Sequence, residues 1–375
     1  MPFIPTTEEN RKEMLKTIGV SDFEELLSPI PKEARFQGEL DLPEPLSEME
    51  VSRLLQEIAG ANEHAGTHAC FLGGGAYDHF IPAAVDHVIS RPEFYTAYTP
   101  YQPEVSQGNL QAIYEYQTMI ARLTGMDVAN ASMYDGASAM AEAALLIQAH
   151  TRKSPVLISK SVHPFYRRVV DTYCQRSGAC MLEVETAGGV TDIEDLKKKV
   201  NENTAGILVQ HPNFFGNLEP VEAIGAIIHE AGGLYGVSVD PISLGLLKPP
   251  GEYGADVVTG EGQSMGNALN LGGPYVGIFA VTQALVRRLP GRLVGVTKDK
   301  EGRRGFVLTL THPDDPDLTW SLLLPGDAPS LPAVGRKVPH YGKYGWLVFE
   351  GETNAGKGEW PTGESPLRKR LAVDG

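Results

Sequence analysis

An α/β fold built on a mainly parallel sheet is predicted by three features of the sequence. Short apolar runs at Val156 to Ile158, Gly206 to Val209, Leu234 to Val239 and Asp256 to Thr259 have the continuous hydrophobicity of strands buried on both faces. Amphipathic stretches at Tyr114 to Thr124, Ser138 to His150, Asp192 to Asn201 and Val221 to Ala231 alternate with those runs in the βαβ manner. A chain of 375 residues with 42% hydrophobic content can bury one large core and carry something smaller beside it. Sheets of this kind place ligands beyond the carboxyl ends of their strands.

Taken in order, residues 1–60 read as a helical arm. Thr6 with Glu9, Ser21 with Glu24 and Ser47 with Glu50 each form an S/T-x-x-E capping pattern, and Pro29, Pro31, Pro43 and Pro45 separate the helices. Residues 61–310 hold the alternating strands and helices. From residue 311 to 375 the composition changes: Trp320, Trp346 and Trp360 all fall there among eight prolines, while Ile, Met and Cys are absent. This Pro- and Trp-rich tail is expected to be an appended β-rich module, with a strand at Gly345 to Phe349, or a loosely ordered segment.

A net charge of -15 and a pI near 5.1 argue against a nucleic-acid partner, because phosphate neutralisation needs Lys and Arg that carboxylates do not outnumber. The one short basic cluster, Arg368 to Arg370, reads as a solvated end. Cys70, Cys174 and Cys180 lack paired spacing, so neither a disulfide framework nor a cysteine zinc site is indicated, and a reducing cytoplasm is expected. The segment Met1 to Lys16 has no apolar export signal and no run is long enough to span a membrane. His64 and His68 stand four apart, yet Gly66 between them weakens a helix and no third ligand is spaced to join them, so no metal is expected.

Two segments concentrate unusual residues. The first runs from FLGGGAYDHFIP (Phe71 to Pro82) to YTAYTPYQPEVSQGNLQ (Tyr95 to Gln111). Gly73 to Gly75 permit a close backbone approach or a tight turn, and Tyr95, Tyr98 and Tyr101, spaced with Thr and Pro, suit an extended lining of a concave site. Glu104, Ser106, Gln107 and a helix starting near Asn109 would add acceptors and amide donors; the alternative is a Pro-bounded loop packed on a partner. The second is YDGASAMAEAALL (Tyr134 to Leu146), where Asp135 and Gly136 lead into a helix beginning near Ser138. Its small residues leave amides open to an anion, or form an ordinary cap.

Asp240 ends the run Leu234 to Val239, which puts its carboxylate at a strand's carboxyl end, either to pair with a pyridinium nitrogen or to cap the turn through Ser243. His163 follows the strand ending near Ser159 and either stacks on a ring ligand or is a hydrogen-bonded structural histidine. Between Lys248 and Lys298 there is no lysine, so no Schiff base to pyridoxal phosphate can form where one would follow Asp240.

The blocks FLGGGAYDHFIP, EFYTAYTPYQPEVSQGNLQAIYEYQ, DGASAMAEA and GADVVTGEGQSMGNALNLGGPYVGIFA, in this order, resemble subunit 1 of the two-subunit glycine dehydrogenase (decarboxylating), the P protein of the glycine cleavage system. The resemblance covers about residues 1–310 and implies the large domain of a fold-type-I PLP-dependent transferase. It implies an αβ pair, often doubled to a tetramer, with pyridoxal phosphate held by the lysine-bearing partner, subunit 2, and none bound covalently here. Such a pair removes CO2 from glycine and passes the aminomethyl group to the lipoyl arm of H protein. Gln263, in GEGQS, stands where the lysine of a His-Lys-Thr segment would be. Tyr98, Tyr101, Gln102, Glu104, Ser106 and Gln107 are then expected near the cleft at the subunit interface, with no catalytic residue acting in isolation. Asp135, Gly136, Ala137, Ser138, His163 and Asp240 would mark a vestigial cofactor pocket.

The resemblance ends after GFVLTL: the family continues into a helical small domain, and this chain into THPDDPDLTWSLLLPGD. The distal tail is faintly similar to the end of some bacterial metallopeptidases, without the His-Glu-x-x-His motif that would imply peptidase chemistry. Two other functions compete: a non-catalytic PLP-fold pseudoenzyme or scaffold, and a self-sufficient α/β enzyme holding a noncovalent nucleotide or phosphate ligand at Gly73 to Gly75 or Asp135 to Ser138.

Overall fold

The structure is a computed structural model. It describes the chain apart from residues 1–4, 37, 39, 65, 70, 72, 178–180, 270–274, 299–301, 312–318, 322–345, 351–352 and 359–375. Cys70, Cys180, the cluster Arg368 to Arg370 and most of the tail therefore lie outside the described residues.

The chain divides into two compact units, Met1–Cys70 and Phe71–Gly375. In the first, α1 (Glu8–Ile18) and α2 (Glu48–Gly60) are each opened by a reciprocal capping box, Thr7 with Asn10 and Ser47 with Glu50. The second box matches the sequence expectation. The first sits one residue later than Thr6, because Asn10 supplies the same returning acceptor as a glutamate. The pattern at Ser21 also differs: Asp22 caps the short helix Phe23–Leu26, and Ser21 bonds Glu25. Neither long helix buries a residue within this unit.

The second unit is organised by a seven-stranded sheet. Its strands are β1 (Val128–Ala129), β2 (Val156–Ser159), β3 (Met181–Val184), β4 (Gly206–Gln210), β5 (Leu234–Val239), β6 (Val257–Glu261) and β7 (Gly277–Val281). Their spatial order is β1-β7-β6-β5-β4-β2-β3. Strands β3, β2, β4, β5 and β6 run parallel, while β7 is antiparallel to β6 and β1 to β7. The fold is thus α/β with a mostly parallel sheet, as the alternating pattern predicts.

Helices cover both faces: α3 (Gln107–Thr124), α4 (Gly136–Thr151), α5 (Pro164–Ser177), α6 (Ile193–Lys199) and α7 (Val221–Glu230). Successive strand residues point to opposite faces and feed two cores. Leu157, Ile207, Val209, Tyr235, Val237 and Val258 pack with Ile120 of α3, Leu196 of α6 and Ile224 and Ile228 of α7. Val156, Ile158, Leu208, Val257 and Phe279 pack with Met140 and Ile147 of α4 and Val170 of α5. Ala139, Ala141, Ala143 and Ala144 of α4 are fully buried, because a helix filling the space over a sheet needs small residues on most sides.

Two helices begin earlier than the sequence suggests. Helix α3 starts at Gln107 rather than near Asn109, with Ser106 O accepting from Leu110 N. Helix α4 starts at Gly136 rather than near Ser138, because Asp135 is the cap and Ser138 its N3 partner. Beyond the sheet, β8 (Leu293–Lys298) and β9 (Arg304–Thr311) pair antiparallel, and Phe306 and Val294 close a small third core on Leu110. In the tail, the backbones of Trp346–Glu350 and Thr353–Gly358 pair antiparallel, so a strand does follow Gly345.

Candidate functional site

The parallel strands all end on one side, and the loops leaving them surround a cleft of about 330 Å³. His163 comes from the loop after β2, Gln210 and Asn213 from the end of β4, Asp240 from the end of β5, and Glu261 and Gln263 from the end of β6. The chain reverses direction across the sheet here: β3 lies on one side of β2, and β4, β5 and β6 on the other. A crevice at such a reversal is where open α/β sheets bind ligands.

His163 forms one wall. It is buried, its Nε2 lies 2.8 Å from Gly74 O, and its backbone N–H donates to Gln210 Oε1 at 2.9 Å. Its ring stacks on Tyr166 at 5.0 Å between centroids and meets Phe214 at 4.6 Å. Gly75, at φ +92°, comes so close that a Cβ there would stand 2.5 Å from His163 Cδ2. The triple glycine thus serves a backbone approach to the histidine.

Beneath this wall lies a buried polar network. Glu219 Oε1 accepts from Ser161 Oγ and Asn213 Nδ2, both at 2.7 Å, and Oε2 accepts from Thr191 N at 2.9 Å. Ser159 Oγ bonds Ser161 Oγ at 2.7 Å and accepts from Thr191 Oγ1 at 2.8 Å. Glu219 N donates to His211 Nδ1, so that nitrogen carries no proton, and burial holds the imidazole pKa below its usual value. A carboxylate this well supplied with donors fixes the loops that follow β2 and β4.

Asp240 stands directly after β5 as expected, and its Oδ1 accepts from Ile242 N at 3.0 Å, with Ser264 Oγ at 3.4 Å. It therefore caps the following turn while lining the cleft. Gln263 is buried, and its Nε2 donates to Asn267 O at 2.5 Å. At the start of α4, Asp135 Oδ1 accepts from Ser138 N at 2.7 Å, and Ser138 Oγ returns to the Asp135 backbone. The amides of Asp135, Gly136 and Ser138, expected to be open to an anion, are thus engaged within the chain, Gly136 N by Glu261.

Glu261 was not singled out by sequence reasoning. Its Oε2 accepts from Gly136 N at 2.8 Å, and its Oε1 accepts from Gln263 N and Val276 N at 3.0 Å each. Burial outweighs these three donors and raises the carboxyl pKa above its usual value. Its sequence signal was its place one residue before Gly262 at the end of an apolar run, the same address that picked out Asp240.

The residues from Tyr98 to Gln107 do not line this cleft. Tyr98 is 94% exposed. Tyr101 lies under the Arg292 guanidinium at 5.2 Å, and Ser106 Oγ donates to Thr99 O. Gln107 bonds both backbone polar groups of Phe306. Gln102 is exposed, and Glu104 Oε2 is buried without a hydrogen-bond partner among the described residues. Among the described residues that line the cleft, none is Lys or Arg. No described helix is long and apolar enough to cross a membrane.

Residues 1–314 match the family described as glycine cleavage system P-protein. A protein of Anoxybacillus flavithermus named probable glycine dehydrogenase (decarboxylating) subunit 1 is 55% identical over 308 residues, covering 82% of this chain and 69% of its own length. A protein of the same name from Chlorobium chlorochromatii is 55% identical over 311 residues, covering 83% and 70%. Among solved structures, a glycine decarboxylase (P-protein) of the glycine cleavage system in inhibitor-bound form superposes with a TM-score of 0.74. It is 49% identical, and the match covers 83% of this chain and 69% of that one.

Proposed function

The chain belongs to the glycine cleavage system P-protein family, and from that membership we propose that it is the subunit-1 half of a glycine dehydrogenase (decarboxylating), completed by a lysine-bearing partner. The pair decarboxylates glycine and passes the aminomethyl group to the lipoyl arm of H protein in the cytoplasm.

Pyridoxal phosphate does not fit the cleft of this chain. No lysine lies between Lys248 and Lys298, the Gln263 side chain is turned to Asn267 O, and the α4 amide of Gly136 is already taken. We therefore assign the cofactor to the partner subunit, and to this chain the shaping of the shared assembly. Tyr98, Tyr101, Gln102, Glu104, Ser106 and Gln107 are proposed to face that partner. Exposed Tyr98 and the unpartnered Glu104 oxygen support this, since an aromatic ring left in water and a buried acceptor without a donor both suit a surface that is covered in the complex. Residues 1–60 are proposed as an arm and residues 61–310 as the large domain, with 311–375 as an atypical appendage.

The observation that carries the proposal is the combination of a fold-type-I sheet with a lysine-free site. The test is glycine-dependent CO2 exchange with lipoylated H protein, using this chain alone, the lysine-bearing companion alone, and the mixture. Activity confined to the mixture is the expected result. An inactive mixture, with companion and H protein competent beside an ordinary subunit 1, would favour the scaffold reading.

A further inference from the structure

Three backbone N–H groups from three separate segments converge on one point at the floor of the cleft. Gly136 N is the first amide of a sixteen-residue helix, Gln263 N follows β6, and Val276 N precedes β7. A helix amino terminus joined by two further amides has the donor set that holds a phosphate group in many folds. Here both oxygens of Glu261 occupy it, at 2.8, 3.0 and 3.0 Å. A second carboxylate, Asp135, takes the amide of Ser138 in the same helical turn. Tyr166 covers the cleft side: a Cβ on Gly136 would fall 2.5 Å from its phenol oxygen and 3.1 Å from Glu261 Cβ. Neither Lys nor Arg is among the described residues lining the cleft.

We propose that Glu261 is a specificity-determining residue that bars phosphate-bearing ligands from this cleft, its carboxylate standing where a ligand's phosphate would be bound. An incoming dianion would have to displace a carboxylate already satisfied by three donors, and it would meet Asp135 with no cation to offset the repulsion. Loss of the lysine removes covalent attachment alone. Glu261 removes the non-covalent hold as well, and the cleft that remains suits neutral or cationic groups. The inference stands on this chain's geometry and needs neither the partner subunit nor turnover, so its failure is distinguishable from failure of the proposed function.

The test is calorimetric titration of the full chain with inorganic phosphate near pH 8, at matched ionic strength, for the wild type, Glu261→Gln and Glu261→Ala. Saturable binding in Glu261→Ala at least about tenfold tighter than in wild type is expected, with Glu261→Gln between them. Equal affinity in wild type and Glu261→Ala, or no binding by a folded Glu261→Ala, overturns the proposal. Where the variant fails to fold, the wild type decides through its amide resonances. Gly136, Gln263 and Val276 should shift together through one titration above the ordinary glutamate range, and should not respond to phosphate at pH 8. Independent titrations, or a saturable response to phosphate, overturn it.

Discussion

Gln107 holds Phe306 by both of its backbone polar groups: Nε2 donates to Phe306 O at 2.9 Å, and Oε1 accepts from Phe306 N at 2.8 Å. The side chain acts as one rung of a sheet ladder and fastens β9 to the start of α3. Gln107→Ala is expected to cost about 1–3 kcal/mol in stability, because two edge groups lose their partner together. Thermal unfolding checks the loss, and limited proteolysis near residues 293–311 checks its location. A large fall in exchange activity of the reconstituted pair with no change in stability would point instead to a role at the cleft.

Gly75→Ala tests the close approach to His163. The backbone there is in the left-handed region, and the added carbon would stand 2.5 Å from the ring. The expected cost is about 1–3 kcal/mol by denaturant unfolding, from strain and overpacking. A stability unchanged within error would show that the His163 wall moves freely.

Glu219→Gln keeps the size of the buried side chain and replaces one acceptor oxygen with a donor. Ser161, Asn213 and Thr191 all donate to this carboxylate, so one donor must face another after the change. A loss of about 2–4 kcal/mol is expected. The measurement is urea unfolding with a comparison of m-values, to separate stability from a change in compactness.

The pH dependence follows from His211. Burial lowers its pKa in the folded chain, so the unfolded chain binds the proton more readily. Stability from the neutral imidazole is present above the unfolded value of 6.5 and is lost as pH falls through it toward the lower folded pKa. Glu261 works with the opposite sign: its raised pKa means that the folded chain keeps the proton longer, so its contribution falls as pH rises past 4.5. In His211→Asn, whose side-chain oxygen can still accept from Glu219 N, the decline in melting temperature between pH 7 and pH 5 should be shallower than in wild type.

The central strands were legible because burial on both faces leaves an uninterrupted apolar run, as in Leu234–Val239, where expected and observed bounds agree. Val128–Ala129, Met181–Val184 and Gly277–Val281 are not among the expected strands: the first has two residues, and the second exposes Leu182 and half-buries Glu183, which leaves no clear period. Helix α3 begins two residues before Asn109, at Gln107, whose side chain bonds the Phe306 backbone 199 positions away, a contact that local sequence does not carry. In the site, Asp240 and His163 were found by their position after strands. Glu261 was missed because its role depends on Gly136, 125 positions away in sequence. The caps at Asp135 and Asp240 illustrate the same limit: the sequence offers a carboxylate, and the fold decides which amide reaches it first.

The alternation of strand residues between two cores has a genetic consequence. Leu157 and Ile158 are bonded neighbours, yet they belong to packing groups on opposite sides of the sheet. Truncating both should give nearly the sum of the separate losses, while Leu157 combined with a member of its own core such as Ile207 should deviate from the sum. The sheet is a partition through which backbone register passes and side-chain accommodation does not. Compensating substitutions in this protein should therefore be found on the same side of the partition, however far apart they lie in sequence.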